Sequence, residues 1–489
     1  MAESLFQITG LASNVDWGKL IDAIIENERK KTRVWESEIE RLTLRRGLYQ
    51  EFQAVMRDLK GKLQPLTSRT TLEGKSVRLD SLTPGVEAQS VVRVTASSTA
   101  PNGTYEVEVT SVAAAHKVAS RAYGDVSASL NLSGTFRITQ GSGSVDVSVS
   151  SSDSLLAVAN KVNAAASQGG LSLTAYIWEG RLIVESTRTG TASALSFTDS
   201  ADVQGSTSSS EVLESLGILD DSKAVANQLR AASDAVFTVN GNPVVRQTNR
   251  VDDLYVGITF EILSVGRVMA YISDDRDRIK EAISSFVSTY NDAIEWISIR
   301  VSEEKVENPK SELERKRGLL RGDSLLWQAK TAMRQRVADP LSGLPPGLDR
   351  LSAVGIKTES INYGKSGKLE FDETAFDAAF DRNPEAVRDL IRGAAARLLE
   401  LVDGYVSSIP VNVGGAVVRE GRIPNRIDSI DSTIRDLRKQ IASFEYRLEM
   451  KKVSLTQRFT RLEEALSQLT KQSQWLAGVI AQMQGGGKG

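Results

Sequence analysis

The 489-residue chain has no cysteine and a single histidine. Disulfides, thiolate metal sites and cysteine nucleophiles are therefore excluded. A chain without thiols also suits passage across membranes in the unfolded state, since nothing oxidises on the way. The histidine lies in Ala113-Ala114-Ala115-His116-Lys117. A lone imidazole cannot complete a metal site, so a structural or solvent role is expected. Neither sign of charge is in excess: 60 basic against 62 acidic residues leave −2. No global field draws such a chain to nucleic acid or to an anionic membrane. No apolar run approaches the roughly eighteen residues of a membrane span. The opening segment, Leu5 to Ser13, alternates apolar and polar residues without a basic start, so no signal peptide is expected there. A P-loop pattern is missing. Gly141-Ser142-Gly143-Ser144-Val145-Asp146 fails as a dinucleotide fingerprint, because the last glycine is absent and a strand pattern follows. Neighbouring carboxylates, Glu303 with Glu304 and Asp252 with Asp253, read as solvated loop charges. No catalytic, cofactor-binding or metal-ligating residue is assigned, no cofactor is called for, and a protein that is not an enzyme is expected.

The chain does carry two long apolar stripes, one at each end. The C-terminal stripe runs Ile427, Ile430, Ile434, Leu437, Ile441, Phe444 and Leu448. Steps of three and four alternate, as in a coiled-coil seam. Lys451 interrupts it. It resumes at Leu455, Phe459, Leu462, Leu466, Leu469, then Ser473, Leu476, Ile480 and Met483, with a stutter after Lys451. No proline or glycine falls between Asn425 and Ala477, Pro424 precedes the stripe, and Gly485-Gly486-Gly487 closes it. This predicts a helix over 427–483, roughly 85 Å long at about 1.5 Å per residue. At the other end, Asn14 or Asp16 caps a helix whose apolar face is Trp17, Leu20, Ile21, Ile24 and Ile25, then Trp35, Ile39 and Leu42. After a slip at Arg45-Arg46 the face continues through Tyr49, Phe52, Met56, Leu59, Leu63 and Leu66. Two distant amphipathic ends are expected to close on each other. The coiled-coil or partner interface is assigned to Leu20, Ile24, Trp35, Ile39, Leu42, Leu455, Phe459, Leu462, Leu466, Leu469, Trp475 and Leu476.

Between the stripes, from Ser76 to Ser273, the period changes to two. Val91–Thr95 and Thr104–Val109 read as a strand pair about Pro101-Asn102-Gly103. Thr135–Thr139 and Val145–Val149 read as a second pair. A helix over Ser154–Ala166 follows, then strands Leu171–Trp178 and Leu182–Ser186, and Ser193–Thr198 closes this unit. Ala235–Val239 and Val244–Gln247 flank Asn240-Gly241, a strong hairpin signal because both residues accept positive φ. Gly257–Leu263 and Arg267–Ile272 are expected to complete a second sheet. Helical spacing returns at Asp277. A charged loop spans Glu303–Lys316, and Gly322-Asp323 opens a helix with Leu326, Ala329, Met333 and Val337 inward. A hairpin about Gly355–Thr358 and Gly367–Phe371 comes next. Asp372 caps a helix over Glu373–Asp381, Asn383-Pro384-Glu385 starts another, and Val411–Gly415 reads as a loop.

Ile8-Thr9-Gly10-Leu11-Ala12-Ser13-Asn14-Val15-Asp16 opens the chain, and Ala235 to Gly241 is followed by Arg246, Thr248 to Val251 and Gly257-Ile258-Thr259. Phe286 to Asn291, Leu320 to Asp323, Leu351 to Ile356, Gly367 to Asp372, Asn383 to Val387 and the Leu462–Leu476 stretch come after them. Together these segments resemble the flagellar filament-capping family (FliD, hook-associated protein 2), which usually has Gly-Leu-Asp where this chain has Ser13-Asn14-Val15-Asp16. Their order and spacing agree over nearly the whole chain, least over about 125–224.

The resemblance implies an α+β multidomain fold. A terminal coiled-coil leg (1–45 and 426–489) would join a helical bundle domain (46–75 and 274–425). A β-rich head domain (76–127 and 226–273) would carry a βαββ-like outer head (128–225). It also implies export through the flagellar channel, a place outside the cell at the filament tip, and assembly into a ring-like homo-oligomer, commonly a pentamer, that promotes flagellin folding and insertion. The implied partners are copies of itself, flagellin, the hook-associated junction protein and an export chaperone, with no nucleic acid and no membrane span. The competing readings are another flagellar axial protein at the hook–filament junction, a cell-adhesion protein binding host glycan through its head, and a hydrolase on a coiled-coil stalk.

Overall fold

The computed structural model describes residues 15–199, 211–359, 366–413 and 416–485. The fold is α+β and multidomain, with two compact units: Met1–Ser68 with Ile279–Gly489, and Arg69–Arg278. Asn14, the loop about Ser206–Ser210, and Gly486 with Gly487 lie outside the described residues.

The first unit is helical. Its N-terminal helix spans Trp17–Thr67, and the Asp16 carboxylate accepts from the Lys19 amide at 3.0 Å. Leu48, Tyr49, Phe52, Met56, Leu59 and Leu63 recur at steps of one, three and four and are wholly buried. The N-terminal helix packs along helix Pro384–Val406, and Trp296 of helix Arg276–Ser302 stacks on Phe52 at 5.5 Å. Helix Ser324–Ala338 buries Leu326, Ala329, Met333 and Val337. Strands Ile356–Thr358 and Leu369–Phe371 pair as a hairpin. Asn291 holds the second strand through both backbone groups of one residue, donating to the Leu369 carbonyl and accepting from the Leu369 amide. Asp372 and Asn383 cap helices Glu373–Arg382 and Pro384–Val406.

Three expectations in this unit change. The loop expected at Val411–Gly415 contains a strand, Pro410–Val413, paired with Ala416–Arg419. The charged segment Glu303–Lys316 includes a short helix, Glu312–Lys316, capped by Ser311. The C-terminal helix begins earlier than expected and spans Arg422–Gly485. Pro424 falls in its first turn, where the missing N–H would have had no partner.

The second unit is built on two hydrophobic cores. One lies between a five-stranded antiparallel sheet, in the order 75–81, 266–274, 103–111, 235–239, 242–246, and a three-stranded sheet, in the order 250–255, 258–262, 92–96. The strand pair expected at Val91–Thr95 and Thr104–Val109 does not form, because Val92–Ala96 pairs with Ile258–Ile262 and Gly103–Ser111 pairs with Gly266–Asp274. Strands 258–262 and 266–274 likewise belong to different sheets. Alternation marks which face of a strand is buried, not which strand lies beside it. Asn240-Gly241 turns as expected, with φ of 50° and 79°, and Ala235–Val239 pairs with Asn242–Arg246.

The other core gathers a hairpin (Gly134–Gln140 with Gly143–Val149), the helix Leu155–Gly169 and a second hairpin (Leu173–Trp178 with Arg181–Ser186). Gly190, at φ +94°, joins the two cores, and a Cβ there would stand 2.6 Å from that of Gln247. Thr191 adds hydrogen bonds of 2.7 and 2.8 Å to Asp234. His116 sits at the same junction. It is buried, its Nδ1 accepts from the Leu195 amide at 2.9 Å, and burial holds its pKa below the ordinary value.

Candidate assembly interface on the terminal helices

The two end helices run antiparallel. Trp17 stacks on Phe459 with ring centres 4.5 Å apart, and Trp35 meets Phe444 edge-on at 5.6 Å. Ile21 and Ile25 are buried against Leu448, with Phe444, Leu455 and Phe459 packed around them. Ion pairs flank the apolar contacts: Arg29 with Glu445 at 3.1 Å, Lys452 with Asp22 at 2.9 Å, and Lys451 with Glu28. These pairs are exposed and add little stability, but they fix register and direction. Each buried aliphatic contributes about 1.5–3 kcal/mol, so the apolar seam holds the helices together.

Reading through Lys452 rather than Lys451 alters the break seen in the sequence. Leu448, Lys452, Leu455 and Phe459 keep steps of four, three and four, and Lys452 is the less exposed of the two lysines. The stutter is thereby moved, not removed: Phe444, Leu448 and Lys452 stand two consecutive steps of four apart, and the seam carries a polar residue there.

Beyond Phe459 the C-terminal helix continues to Gly485, roughly 26 residues or ~39 Å further. Along this length Leu462, Leu469, Leu476 and Ile480 are exposed, and Trp475 is 69% exposed. The assigned interface residues thus divide. Trp35, Leu42, Leu455 and Phe459 pack within the chain, Ile24, Ile39 and Leu466 are half-buried, and Leu20, Leu462, Leu469, Trp475 and Leu476 face outward.

A polar site escaped the sequence reading. At the Arg45-Arg46 slip the N-terminal helix turns both guanidinium groups to carboxylates: Arg45 reaches Asp323 at 2.9 Å, and Arg46 reaches Asp431 at 2.8 Å. Asp323 is buried, accepts from the Tyr49 hydroxyl, and caps helix Ser324–Ala338 through the Leu325 amide at 3.0 Å. Arg426 of the C-terminal helix donates to the Tyr49 hydroxyl oxygen at 3.3 Å. Burial, with the Asp323 carboxylate beside it, raises the Tyr49 pKa. The signal in the sequence was the slip itself, two arginines where the stripe should have been apolar.

No group of three or more His, Asp or Glu side chains suited to a metal ion occurs among the described residues. No helix among them is long and apolar enough to cross a membrane.

Comparison with known proteins bears on this geometry. Residues 13–116 match the family model for the flagellar hook-associated protein 2 N-terminus, and 232–471 match that for its C-terminus. Residues 135–188 match the flagellin hook IN motif, which here is the strand–strand–helix–strand–strand core. A flagellar hook-associated protein 2 of Salmonella typhimurium is 29% identical over 250 residues, about half of each chain. The A-type protein of Pseudomonas aeruginosa is 26% identical, with 80% of this chain and 81% of the relative covered. That of Escherichia coli is 22% identical over 96% of both. The crystal structure of D1-D2-D3 domains of the flagellar cap protein FliD from Escherichia coli superposes with a TM-score of 0.54 at 20% identity, covering 78% of this chain and 99% of that one.

Proposed function

This chain belongs to the flagellar hook-associated protein 2 family, and on that premise we propose that it caps the distal end of a bacterial flagellar filament. In this reading it leaves the cell through the flagellar export channel, assembles with copies of itself into a ring at the filament tip, and promotes the folding and insertion of arriving flagellin. Residues 1–45 and 426–489 act as the leg, 46–75 and 274–425 as the bundle above it, 76–127 and 226–273 as the head, and 128–225 as the outer head. The action is binding and confinement, without covalent chemistry, and no residue is given a catalytic role.

The supporting observation is the overhang of the C-terminal helix. A helix zipped to its partner over one half presents a regular apolar stripe over the other. Such a stripe is incomplete alone and suits a surface made of further helices. The test is growth of filaments in a strain lacking its own cap and supplied with this chain. Long filaments are expected with it, and flagellin lost to the medium without it. Electron micrographs of the purified chain should show ring-like particles. A chain that stays monomeric and leaves the filaments short would overturn the proposal.

A further inference from the structure

The chain contains two Asn-Gly pairs, Asn102-Gly103 and Asn240-Gly241. Both are exposed, the first at the start of strand 103–111 and the second between strands 235–239 and 242–246. Asparagine is thermolabile because the next backbone nitrogen can attack its carboxamide, and a following glycine puts no side chain in the way. The fold treats the two pairs differently.

Asn102 is held at both ends of its carboxamide. Its Oδ1 accepts from the Lys75 ammonium at 2.7 Å, and its Nδ2 donates to the Asp274 carboxylate at 3.2 Å. Lys75 and Asp274 are themselves paired at 2.8 Å, with side chains only 10% and 11% exposed. Gly103 stands opposite Ile272 in the ladder. The Leu82 amide bonds the Arg267 carbonyl, and the alternation that follows along strand 266–274 turns the Gly103 amide into its pair with Ile272. Nucleophile and carboxamide are both engaged.

Asn240 is held at one end only. Its Oδ1 accepts from the Glu106 amide at 2.9 Å, and its own amide donates to the Glu106 carbonyl at 2.8 Å. Among the described residues neither its Nδ2 nor the Gly241 amide makes a hydrogen bond, and nothing stands within 4 Å of where a Gly241 Cβ would lie. The bond that is present falls on the oxygen that gathers negative charge when a nucleophile adds at Cγ, as a donor in an oxyanion hole does.

We propose that Asn240 is a self-modification site, at which the Gly241 nitrogen closes a succinimide that water opens to aspartate or isoaspartate. The Gly241 nitrogen gives its proton to hydroxide and bonds to Cγ. The Cγ–Nδ2 bond breaks, and Nδ2 leaves as ammonia with a proton from water. Water then adds at either ring carbonyl, so the net change is water taken up and ammonia released. Aspartate still accepts from the Glu106 amide and tolerates a positive φ. Isoaspartate inserts a backbone carbon into a two-residue turn whose φ values are 50° and 79°, and that turn sets the register of strand 242–246. This strand is the edge of the five-stranded sheet, so its loosening uncovers strand 235–239. The turn thereby limits the working life of the unit Arg69–Arg278.

The test incubates the full natural chain in mildly alkaline buffer and maps its peptides at intervals by mass spectrometry, with an isoaspartate methyltransferase marking the isomerised product. Conversion at Asn240 is expected to lead that at Asn102 by roughly tenfold or more, the worth of a hydrogen bond to a charged group. In urea the two sites are expected to convert at similar rates, because the dipeptide alone then decides. Asn240→Asp is expected to melt as the natural chain does, while aged chains carrying isoaspartate at this position melt lower. Conversion of Asn102 as fast as Asn240 in the folded chain overturns the proposal. So does an Asn240 that converts in urea but not in the folded chain.

Discussion

Tyr49 and Asp323, 274 positions apart, share a buried hydrogen bond in which the tyrosine hydroxyl donates to the carboxylate. Asp323 also holds Arg45 and the first turn of helix 324–338, while Arg426 reaches the same hydroxyl. Both terminal helices are thereby tied to one carboxylate.

Removing the two members of this pair should have unequal effects. Tyr49→Phe keeps the ring packed and leaves one carboxylate oxygen short of a donor, at about 1–2 kcal/mol. Asp323→Ala loses the cap and strands Arg45 in a largely buried place, at about 3–5 kcal/mol. Because the two share partners, the double variant should lose less than the single losses combined. Urea unfolding followed by circular dichroism measures all three. Additive losses would mean that the network does not act as a unit.

The same residues mark how much the sequence disclosed. Local signals were legible: Asp16, Asp372 and Asn383 cap the helices predicted for them, and Asn240-Gly241 turns its hairpin. Each is decided by a few neighbouring residues. Partners across long separations were not legible. Val92–Ala96 and Gly103–Ser111 alternate in the same way, yet the first pairs with 258–262 and the second with 266–274. Asp323 was legible as standing before a helix but not as the partner of Tyr49 and Arg45, since nothing near it in the chain names them. The terminal stripes were legible as apolar, but their division into a packed half and an exposed half depends on where Trp17 meets Phe459.

His116 should make the unit Arg69–Arg278 sensitive to acid. Burial lowers the folded pKa below the 6.5 expected of the free side chain. The unfolded chain then takes up a proton that the folded chain resists, so stability is full above the unfolded value and falls as pH drops through the window below it. As the only histidine, it gives a single imidazole signal in proton NMR. That signal should titrate below the ordinary range, and His116→Asn, whose carbonyl can accept from the Leu195 amide, should flatten the slope of melting temperature against pH there. A histidine titrating at or above its ordinary value would contradict this.

Gly355 should not tolerate a side chain. Its φ is +81°, and a Cβ would lie 2.2 Å from the Asp372 carbonyl oxygen, which is backbone and cannot step aside. The strain of a left-handed alanine adds to that overlap, so Gly355→Ala should cost about 2–4 kcal/mol. Gly85→Ala makes the control, with positive φ but open space, and should cost about 1 kcal/mol. Equal losses in thermal melts would show that the Asp372 contact has no consequence.

The overhang makes opposite demands on stability and function. Leu469→Ser and Leu476→Ser alter exposed positions and should change unfolding free energy by less than about 0.5 kcal/mol, yet filament growth should fail. Ile25→Ala, buried in the paired half, should cost about 2–4 kcal/mol. If the Leu469 and Leu476 variants support filaments of normal length, the exposed stripe is not a working surface.

Lys451 and Lys452 should differ. Both lysines hold an exposed ion pair, Lys452 with Asp22 and Lys451 with Glu28, but only Lys452 falls in line with Leu448, Leu455 and Phe459. Leucine at 452 extends the apolar seam across its polar gap and should stabilise the helix pair by about 1 kcal/mol, given the half-buried position. Lys451→Leu should change stability less, since an exposed ion pair is exchanged for an exposed aliphatic. On the proposed reading of the paired terminal helices as a leg that yields as each subunit adds, closing the gap should impair it, so Lys452→Leu should slow filament growth while raising the melting temperature. Growth at the normal rate from a measurably more stable leg would reject the idea that the polar gap supplies adaptability.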